Sequence, residues 1–429
     1  MTKVIKQLTQ LCILASTVSL ISGEVNATTN ADWQMVWSDE FTGTEIDSNN
    51  WSHVVDCRGG GNREQQCYTD SEENSFTSGG TLKIVALPAA AGAKKPYTSA
   101  RLITRYKADF KYGRFEMSAK LPAGQGSWPA FWMKSTDEVY GTWPKSGEID
   151  IMEAINLKTP DEDGSGLENT TTGTLHYGKF WPDNSHSGQS YNLPNDVNPA
   201  DGFHTYAVEW EEGEIRWYVD NVLFETQRRS EIAYNEAGEV DGLSHRGWFS
   251  EYVDAVTGED TIHWDNSPYD QPFFMILNFA VGGTHPEDHN DGGIDASAFA
   301  NGNTYEIDYV RVYQCSLDVD TGKGCTTGTV GDTLIEGKAP PPPPPILPPT
   351  GEDLDIFAGA MNANWPAYFS NGSTPLVVTD ADKGDVVEFS INSNPTVVGF
   401  LSREANITDP DGVATPHNAS TSVAAGVIR

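Results

Sequence analysis

The most informative stretch of the sequence is Gly147-Glu148-Ile149-Asp150-Ile151-Met152-Glu153, which holds three carboxylates and three apolar residues. Its β-branched and apolar residues favour a strand, in which Glu148 and Asp150 share one face while the isoleucines point to the other. Glu153, five positions after Glu148, would face the core of a regular strand. One extra residue around Ile151 and Met152, a β-bulge, would return it to the carboxylate face. The stretch therefore predicts a bulged strand that aligns three acids.

Two glutamates on one strand face suit the hydrolysis of a glycosidic bond. Along a straight strand their α-carbons would lie about 13 Å apart, or four rises of about 3.3 Å, and a concave, twisted strand lets the side chains lean together. A retaining glycosidase needs its carboxyl groups about 5–5.5 Å apart, one as nucleophile and one as acid and then base. The charge of Asp150 between them would keep the acid protonated. Taken alone, the motif predicts an ordinary solvated acidic strand about as strongly, because short motifs match by chance.

Further motifs flank the acidic stretch. They are KYGRFE at 111–116, AKLP at 119–122, WPAFWM at 128–133, TLHYG at 174–178 and LNFAVGG at 277–283. Together they resemble the laminarinase-like branch of glycoside hydrolase family 16, from about Trp33 to about Tyr313. The resemblance implies an all-β jelly-roll sandwich with a concave glycan-binding cleft. It also implies retaining endo-hydrolysis of β-1,3-glucan, with mixed-linkage β-1,3-1,4-glucan open as a further substrate, and makes Glu148 the nucleophile, Asp150 its helper and Glu153 the acid/base.

Aromatic residues beside the acidic motif are candidates for sugar contacts, because the C–H faces of a pyranose pack on indole and phenol rings. Trp128 is expected in the cleft because of its position beside the motif, whereas Trp132 is open between cleft and core. The resemblance adds His176, near the acid/base, as a hydrogen-bond partner of the sugar or of a catalytic carboxylate. It also adds Trp181 and Asn278 as further subsite contacts.

A turn upstream, NREQQCYT at 62–69, resembles the family segment that lines the non-reducing end of the cleft. The resemblance implies that Asn62 and Glu64 hold glucose hydroxyls. The sequence departs from many laminarinases here, because residues 59–61 are all glycine where a Trp is common, and Cys67 stands where an aromatic residue is frequent. The outer subsites are therefore the least defined part of the predicted cleft.

Near the end of the resembling region, EIDYVRVY at 306–313 alternates in the manner of a final sandwich strand. In the family the matching Asp often ligates a structural calcium. Asp308, with backbone oxygens near Glu40 and Gly80, is therefore a candidate calcium site, since oxygen ligands suit that cation. An acid that caps a surface turn is the alternative for Asp308. No cofactor is expected for catalysis itself.

The 429-residue chain carries a formal net charge of −34. Such a charge repels phosphate and argues against nucleic acid or an anionic membrane as a partner. It also disfavours a heavily sulfated glycan, so the expected partner is a neutral β-glucan, bound by a monomer. Two alternatives stay open: a same-fold hydrolase of marine galactans such as agar, porphyran or carrageenan, and a non-catalytic glucan-binding protein. The acid triplet argues against the second, since binding alone does not need it.

The N-terminus has the pattern of a secretory signal. It contains Lys3 and Lys6, an apolar run over 11–21 and then Val25-Asn26-Ala27, with cleavage expected after Ala27. The run is far shorter than the roughly 20 residues that span a bilayer. The mature chain is therefore expected to be secreted, without a membrane span.

Four cysteines follow the signal, and an even count in an exported chain predicts disulfides. Of the three pairings, Cys57 with Cys67 and Cys315 with Cys325 are favoured because each closes a short local loop. Zinc binding is less favoured, since neither pair has the C-x-x-C spacing of structural zinc sites.

A proline tract divides the chain, and such a run favours an extended, semi-rigid spacer. We expect a signal peptide over 1–27, a catalytic domain over 28–338 and a Pro-rich linker over 339–350. Residues 351–429 contain strand-like runs such as 386–391 and predict a small β-rich accessory module, either carbohydrate-binding or truncated.

Overall fold

The computed structural model describes residues 32–343, except 162, 163, 165, 255–257, 290, 291 and 327–329, together with the backbone of 386–390 and 396–400. The predicted signal peptide, the linker after residue 343 and the rest of the accessory module lie outside the described residues. The chain divides into two compact units, one with residues up to 233 and 242–342, and one with 234–241 and 343–429. In the described part of the chain, no helix has the length and apolar character needed to cross a membrane.

Strands dominate the described residues. In chain order they are β1 Trp33–Asp39, β2 Ser52–His53, β3 Gln66–Tyr68, β4 Ser75–Ser78, β5 Thr81–Pro88, β6 Tyr97–Ser99, β7 Arg101–Ile103, β8 Asp109–Phe110, β9 Gly113–Lys120, β10 Ser127–Ser135, β11 Glu148–Glu153, β12 Thr170–Tyr177, β13 Ser185–Asn192, β14 His204–Glu211, β15 Glu214–Val219, β16 Val222–Arg228, β17 Glu231–Tyr234, β18 Val240–His245, β19 Ser250–Val253, β20 Asp260–His263, β21 Phe273–Val281, β22 Asn303–Cys315, β23 Val386–Ser390 and β24 Thr396–Phe400. A short helix, α1, spans Thr284–Asp288, and 3-10 turns lie at Pro194–Asp196, Ala296–Phe299 and Gly331–Thr333.

Two mainly antiparallel sheets build the first unit. One has ten strands in the order β16-β15-β14-β9-β22-β5-β6-β3, with β1 beside β22 and β4 beside β5. The other has eight, in the order β13-β12-β11-β10-β21-β7-β2, with β8 beside β21. Apolar side chains of both sheets pack between them, such as Phe115 and Trp210 from the first and Phe131 and Phe279 from the second. The predicted all-β sandwich is confirmed.

Strand β10 separates core from open face with a two-residue period. Phe131 and Met133 are fully buried in the core. Trp128, Trp132 and Lys134, at the alternate positions, are half-buried on the opposite face. This period is what a strand with one packed face and one open face requires. The open face of the eight-stranded sheet is therefore lined by indole and charged groups.

The bulge predicted in β11 is present. Glu148 pairs with His176 of β12, and Asp150 with Thr174, but the register then shifts before Glu153. One extra residue on β11 at this point returns Glu153 to the face of the other two acids. The same irregularity appears in the pairing of β11 with β10. The sequence period and the bulge together align the acids.

Trp217 of β15 supports the acidic strand from the core side. Its indole N–H donates to the carbonyl oxygen of Asp150 at 2.8 Å. The ring fills the space above Gly173 of β12, where an added Cβ would collide with it. A residue with a side chain at this position would separate the two sheets, so glycine fixes their spacing beneath the acids.

Three further sequence predictions are confirmed. Both disulfides form as expected, Cys57 with Cys67 and Cys315 with Cys325. The predicted final sandwich strand lies within β22, between β9 and β5. The strand predicted from residue 386 is β23, which pairs with β24 in antiparallel fashion.

The segment that follows the sandwich, residues 330–340, is named the strap. Leu334 forms a bridge with Thr226 of the edge strand β16. Ala339 is fully buried, and the indole of Trp264 donates to the carbonyl of Pro340 at 2.9 Å. The first unit therefore extends to residue 342, beyond the predicted domain end at 338. The proline tract begins while the chain is still packed against the sandwich.

Candidate active site

The acidic side chains of β11 converge with His176 of the neighbouring strand. His176 Nε2 lies 3.2 Å from Asp150 Oδ2 and 3.8 Å from Glu148 Oε1. The ligand atoms of these three residues lie within 4.8 Å of one another, a spacing that a metal ion could also use. The hydroxyl of Tyr269, in the core, lies 3.0 Å from the His176 carbonyl and 3.3 Å from that of Glu148. Strand register and this tyrosine place the imidazole beside the acids.

Glu148, at one end of the cluster, lies beside two cationic groups and an indole donor. The indole N–H of Trp143 donates to its Oε2 at 3.0 Å, and Lys134 lies opposite it in the β10–β11 pairing. Burial raises the pKa of Glu148 and the charge of Glu153 adds to the rise, while His176, Lys134 and the indole lower it. Two cations and one donor thus favour the carboxylate that a nucleophile must be.

Glu153, at the other end of the cluster, has a raised pKa that favours its protonated form. Its Oε1 accepts a hydrogen bond of 2.8 Å from the indole of Trp128. Burial and the charge of Asp150 raise the pKa of Glu153 to about 7, against the Trp128 bond and the charge of His176. A carboxyl that titrates near neutrality can donate a proton to a leaving oxygen and later accept one from water. The charge of Asp150 acts on Glu153 in the direction that the sequence predicts.

Asp150 and His176 form a buried ion pair between the two glutamates. Burial and the charge of Glu148 raise the pKa of Asp150 to about 6, against the hydrogen bond with His176. Burial lowers the pKa of His176, but the hydrogen bond to Asp150 and the charges of Asp150 and Glu148 outweigh it and raise the pKa to about 9. A protonated imidazole offsets the repulsion among the carboxyls, and it opposes metal ligation at this cluster.

Known proteins resemble this chain in sequence and in fold. The family model described as Glycosyl hydrolases family 16 matches residues 61–266. A beta-glucanase of Rhodothermus marinus is 37% identical over 286 residues, which cover 66% of this chain and 85% of that protein. This chain belongs to glycosyl hydrolase family 16. The family that its sequence predicts is confirmed.

Other relatives of this family 16 chain agree. The glucan endo-1,3-beta-glucosidase A1 of Niallia circulans is 36% identical over 298 residues, which cover 66% of this chain but 38% of that protein. The X-ray structure of the laminarinase from Rhodothermus marinus matches with a TM-score of 0.50 at 36% identity, over 66% of this chain and 97% of that one. The predicted jelly-roll architecture is confirmed. The chain spans little more than a third of the Niallia relative and most of the Rhodothermus proteins.

The family 16 cleft continues from the acids across β10 and β21. Trp128 lies on the face of the acids, where its indole N–H donates to Glu153, and its contact with a sugar stays a prediction. Trp132, which the sequence left open, lies on the same face, and its indole N–H donates to Asn278 Oδ1 at 2.6 Å. Asn278 is almost fully buried, so in this structure it orients Trp132. Its contact with a sugar stays a prediction.

The turn that the family resemblance assigns to glucose hydroxyls is tightly packed. Glu64 is almost fully buried and accepts hydrogen bonds from Gln66 at 2.6 Å and from the Tyr68 hydroxyl at 3.4 Å. Its carboxylate occupies the space where a Cβ on Gly60 would lie. Glycine at this place in the turn therefore makes room for an acid. Asn62 is half-buried in the same turn, and the sugar contacts of both residues stay predictions.

Trp181 lies in the turn between β12 and β13. Its side chain is 72% exposed, and the described residues offer it no hydrogen bond or ring contact. An exposed indole is available to a glycan, but this position does not by itself place the ring in the cleft. The subsite role of Trp181 stays a prediction.

Three residues of the cleft were not predicted from the sequence. Trp143 and Lys134 both act on Glu148, and the guanidinium of Arg101 stacks 4.5 Å over the ring of Tyr68 and 5.5 Å from that of Trp132. Trp143 precedes the first acid by only five residues, so an indole donor in that loop was a usable signal. Arg101 has no such signal, because it reaches the cleft only through the pairing of β7 with β21.

The predicted calcium site lies on the ten-stranded sheet. Asp308 is half-buried, and its Oδ2 accepts only a long hydrogen bond of 3.5 Å from Ser118. Burial raises the pKa of Asp308, the charge of Arg311 lowers it and the charge of Glu40 raises it. The side chain of Glu40 is engaged by Arg311 at 2.9 and 2.8 Å, which leaves its backbone oxygen. A weakly bonded carboxyl and carbonyls such as that of Gly80 suit a hard cation, and the calcium stays a prediction.

Proposed function

We propose that this chain is a retaining endo-β-1,3-glucanase that hydrolyses laminarin-type glucan. The observation that supports it most is the bulged strand that brings Glu148, Asp150 and Glu153 to one face of the sheet. Burial and the charge of Asp150 raise the pKa of Glu153 to about 7, which suits a proton donor. Burial also raises the pKa of Glu148, but His176, Lys134 and an indole donor oppose that rise and favour the carboxylate of a nucleophile.

The proposed reaction has two steps. Glu148 attacks the anomeric carbon while Glu153 protonates the glycosidic oxygen, the C–O bond breaks and a glycosyl ester of Glu148 remains. Glu153, now a carboxylate, then takes a proton from water as the water oxygen attacks the anomeric carbon, and the bond between that carbon and the Glu148 oxygen breaks to release the carboxylate. The two inversions restore the β configuration. Asp150 and His176 position and tune these groups without touching the reacting atoms.

The cleft supports a neutral glucan as the substrate. Trp128, Trp132 and Trp143 present half-buried indole rings at or beside the acids, and such rings pack against pyranose faces. A net charge of −34 disfavours sulfated galactans. Relatives named for β-1,3-glucan include the Niallia enzyme and one from Cryptopygus antarcticus, and an endo-1,3-1,4-beta-glycanase of Rhizobium meliloti supports mixed-linkage glucan as a further substrate.

A glucan-binding protein without activity is the second candidate. A beta-1,3-glucan-binding protein of Penaeus monodon is 32% identical over 58% of this chain. Binding needs the aromatic cleft but not two glutamates on one strand face beside an Asp150–His176 pair, one of them with a pKa raised to about 7. The acid cluster therefore favours the enzyme.

Three accompanying proposals rest on the sequence. Export is supported by the signal pattern over 1–27 and agrees with the two disulfides. The chain is proposed to act as a monomer. Calcium at Asp308 is proposed as a structural ligand, and chelation should then lower the melting temperature of the wild type but not of Asp308→Asn.

Release of new reducing ends tests the proposed function. The mature chain is incubated with laminarin, mixed-linkage β-glucan, agarose and carrageenan in parallel. We expect the highest rate on laminarin, and loss of that rate in Glu148→Gln and in Glu153→Gln with the fold intact by circular dichroism. Activity on a galactan alone would show that the substrate is a galactan and not a β-glucan. Binding to laminarin without hydrolysis would show that the chain is a glucan-binding protein and not an enzyme.

A further inference from the structure

A histidine outside the acid cluster borders the Glu153 end of the cleft. His285 lies in α1 with its side chain exposed. Its ring meets that of Trp128 edge to face, with centroids 5.4 Å apart and planes inclined by 65°. Trp128 in turn donates to Glu153. His285 is therefore separated from the proton donor by a single indole.

The helix that carries this histidine is held firmly by its neighbours. The carbonyl of Pro286 accepts hydrogen bonds from Gln125 at 3.0 Å and from Asn156 at 2.9 Å. The carboxylate of Glu287 accepts one from the backbone N–H of Gly283 at 2.7 Å. A side chain on a rigid element loses little conformational freedom when it binds a ligand. The imidazole is thus presented to the cleft in a defined position.

The imidazole of His285 makes no hydrogen bond within the described residues. Other histidines are engaged: His176 with Asp150 at 3.2 Å and His204 with Asp220 at 2.7 Å. A neutral imidazole offers one donor and one acceptor. Polar atoms beside an aromatic face that suits a pyranose can hydrogen-bond the hydroxyl groups of a sugar stacked on that face.

We propose that His285 is a specificity-determining contact, which hydrogen-bonds a hydroxyl group of the glucose unit packed on Trp128. The proposal rests on the glucanase function proposed above and adds a substrate contact to it. His285 takes no part in the proton transfers of Glu148 and Glu153. Its effect therefore belongs to substrate binding.

Two substitutions in the full chain separate its hydrogen bond from its packing. His285→Phe keeps a ring against Trp128 and removes both nitrogens, whereas His285→Gln keeps a donor and an acceptor. One neutral hydrogen bond corresponds to about a 3- to 10-fold change in equilibrium constant. We expect KM for laminarin to rise by about that factor in His285→Phe, with kcat within about twofold, and to return towards the wild-type value in His285→Gln.

The matched control is His263→Phe. The His263 ring stacks on Tyr252 at 3.6 Å in the β19–β20 hairpin, so it tests the loss of a half-exposed histidine packed on an aromatic ring. KM should be unchanged there. The pH dependence of kcat/KM should also be unchanged in His285→Phe, because the bond from Trp128 to Glu153 is retained.

If KM for laminarin in His285→Phe equals that of the wild type, the proposed contact is wrong. The glucanase function still holds in that case, provided that the wild type hydrolyses laminarin. If the alkaline limb of kcat/KM shifts in His285→Phe and KM does not change, His285 positions Trp128 and does not contact the sugar. That result would also overturn the proposal. A wild-type chain that is inactive on laminarin would overturn the proposed function and, with it, this contact.

Discussion

The Trp128→Phe substitution removes the indole N–H that donates to Glu153 at 2.8 Å and leaves an aromatic ring in the cleft. A hydrogen bond to a charged group contributes about 1.5–3 kcal/mol, and about 1.36 kcal/mol corresponds to one pKa unit. The bond stabilises only the carboxylate form of Glu153. Its loss should therefore raise the pKa of Glu153 by about 1–2 units from its value of about 7.

This shift has a definite sign in the pH profile. Glu153 must be protonated to act as the acid, so its pKa sets the alkaline limb of kcat/KM. Activity of the wild type should fall as the pH rises through about 7, and that of Trp128→Phe should fall at a pH about 1–2 units higher. The assay is release of reducing ends from laminarin across the pH range in which both proteins stay folded.

Trp132→Phe is the matched control for this prediction. Trp132 lies on the same strand and the same face, but its indole donates at 2.6 Å to the amide of Asn278, which does not titrate. Its loss should lower affinity for glucan and leave the alkaline limb in place. A limb that stays or moves down in Trp128→Phe would refute Glu153 as the proton donor, as would an equal shift in both variants.

Three further predictions concern the nucleophile, the central acid and the strap. Trp143→Phe removes the 3.0 Å donor to Glu148, so the pKa of Glu148 rises and the acidic limb of kcat/KM should move up by about one unit, with the alkaline limb as the internal control. Asp150→Asn removes a charge that raises the pKa of Glu153, so the alkaline limb of kcat/KM should move to lower pH. A shift to higher pH would contradict this role of Asp150. Gly337→Ala places a Cβ against the Gly247 carbonyl and the Tyr177 hydroxyl, whereas Gly202→Ala meets nothing within 4 Å; thermal unfolding should show a loss of about 1–3 kcal/mol for the first alone.

The sequence predicts the acidic strand well because two independent constraints meet there. A period of two places Glu148 and Asp150 on one face, and a third acid at an odd spacing is buried unless the strand bulges. Burying an isolated carboxylate in a core is costly. The bulge is therefore dictated by chemistry that a single sequence already contains.

Contacts between strands that are distant in the sequence could not be predicted, because they depend on the order of strands in the sheet. Arg101 stands beside Trp132 because β7 pairs with β21 and β21 with β10, an order that the local sequence does not encode. Lys134 faces Glu148 through the register of two consecutive strands, β10 and β11, which the local sequence does not fix either. The support that Asn278 gives to Trp132 also depends on this order. Sheet topology had to be known before these residues could be assigned.

The strap shows that a proline-rich composition does not locate the end of the domain to the residue. Consecutive prolines predict a spacer from residue 339, yet Ala339 is buried and Pro340 accepts a hydrogen bond from Trp264. A proline cannot donate, but it can still pack and accept. The tract therefore marks the end of the domain only approximately.

The anomeric configuration of the first product formed from laminarin decides the roles of the two glutamates, and proton NMR can follow it before mutarotation. We expect hydrolysis in which new reducing ends appear first as the β anomer, because Glu148 forms a covalent intermediate and water attacks from the face of Glu153. Initial appearance of the α anomer would contradict the assigned roles of both glutamates, and an unchanged laminarin spectrum would contradict the enzyme itself.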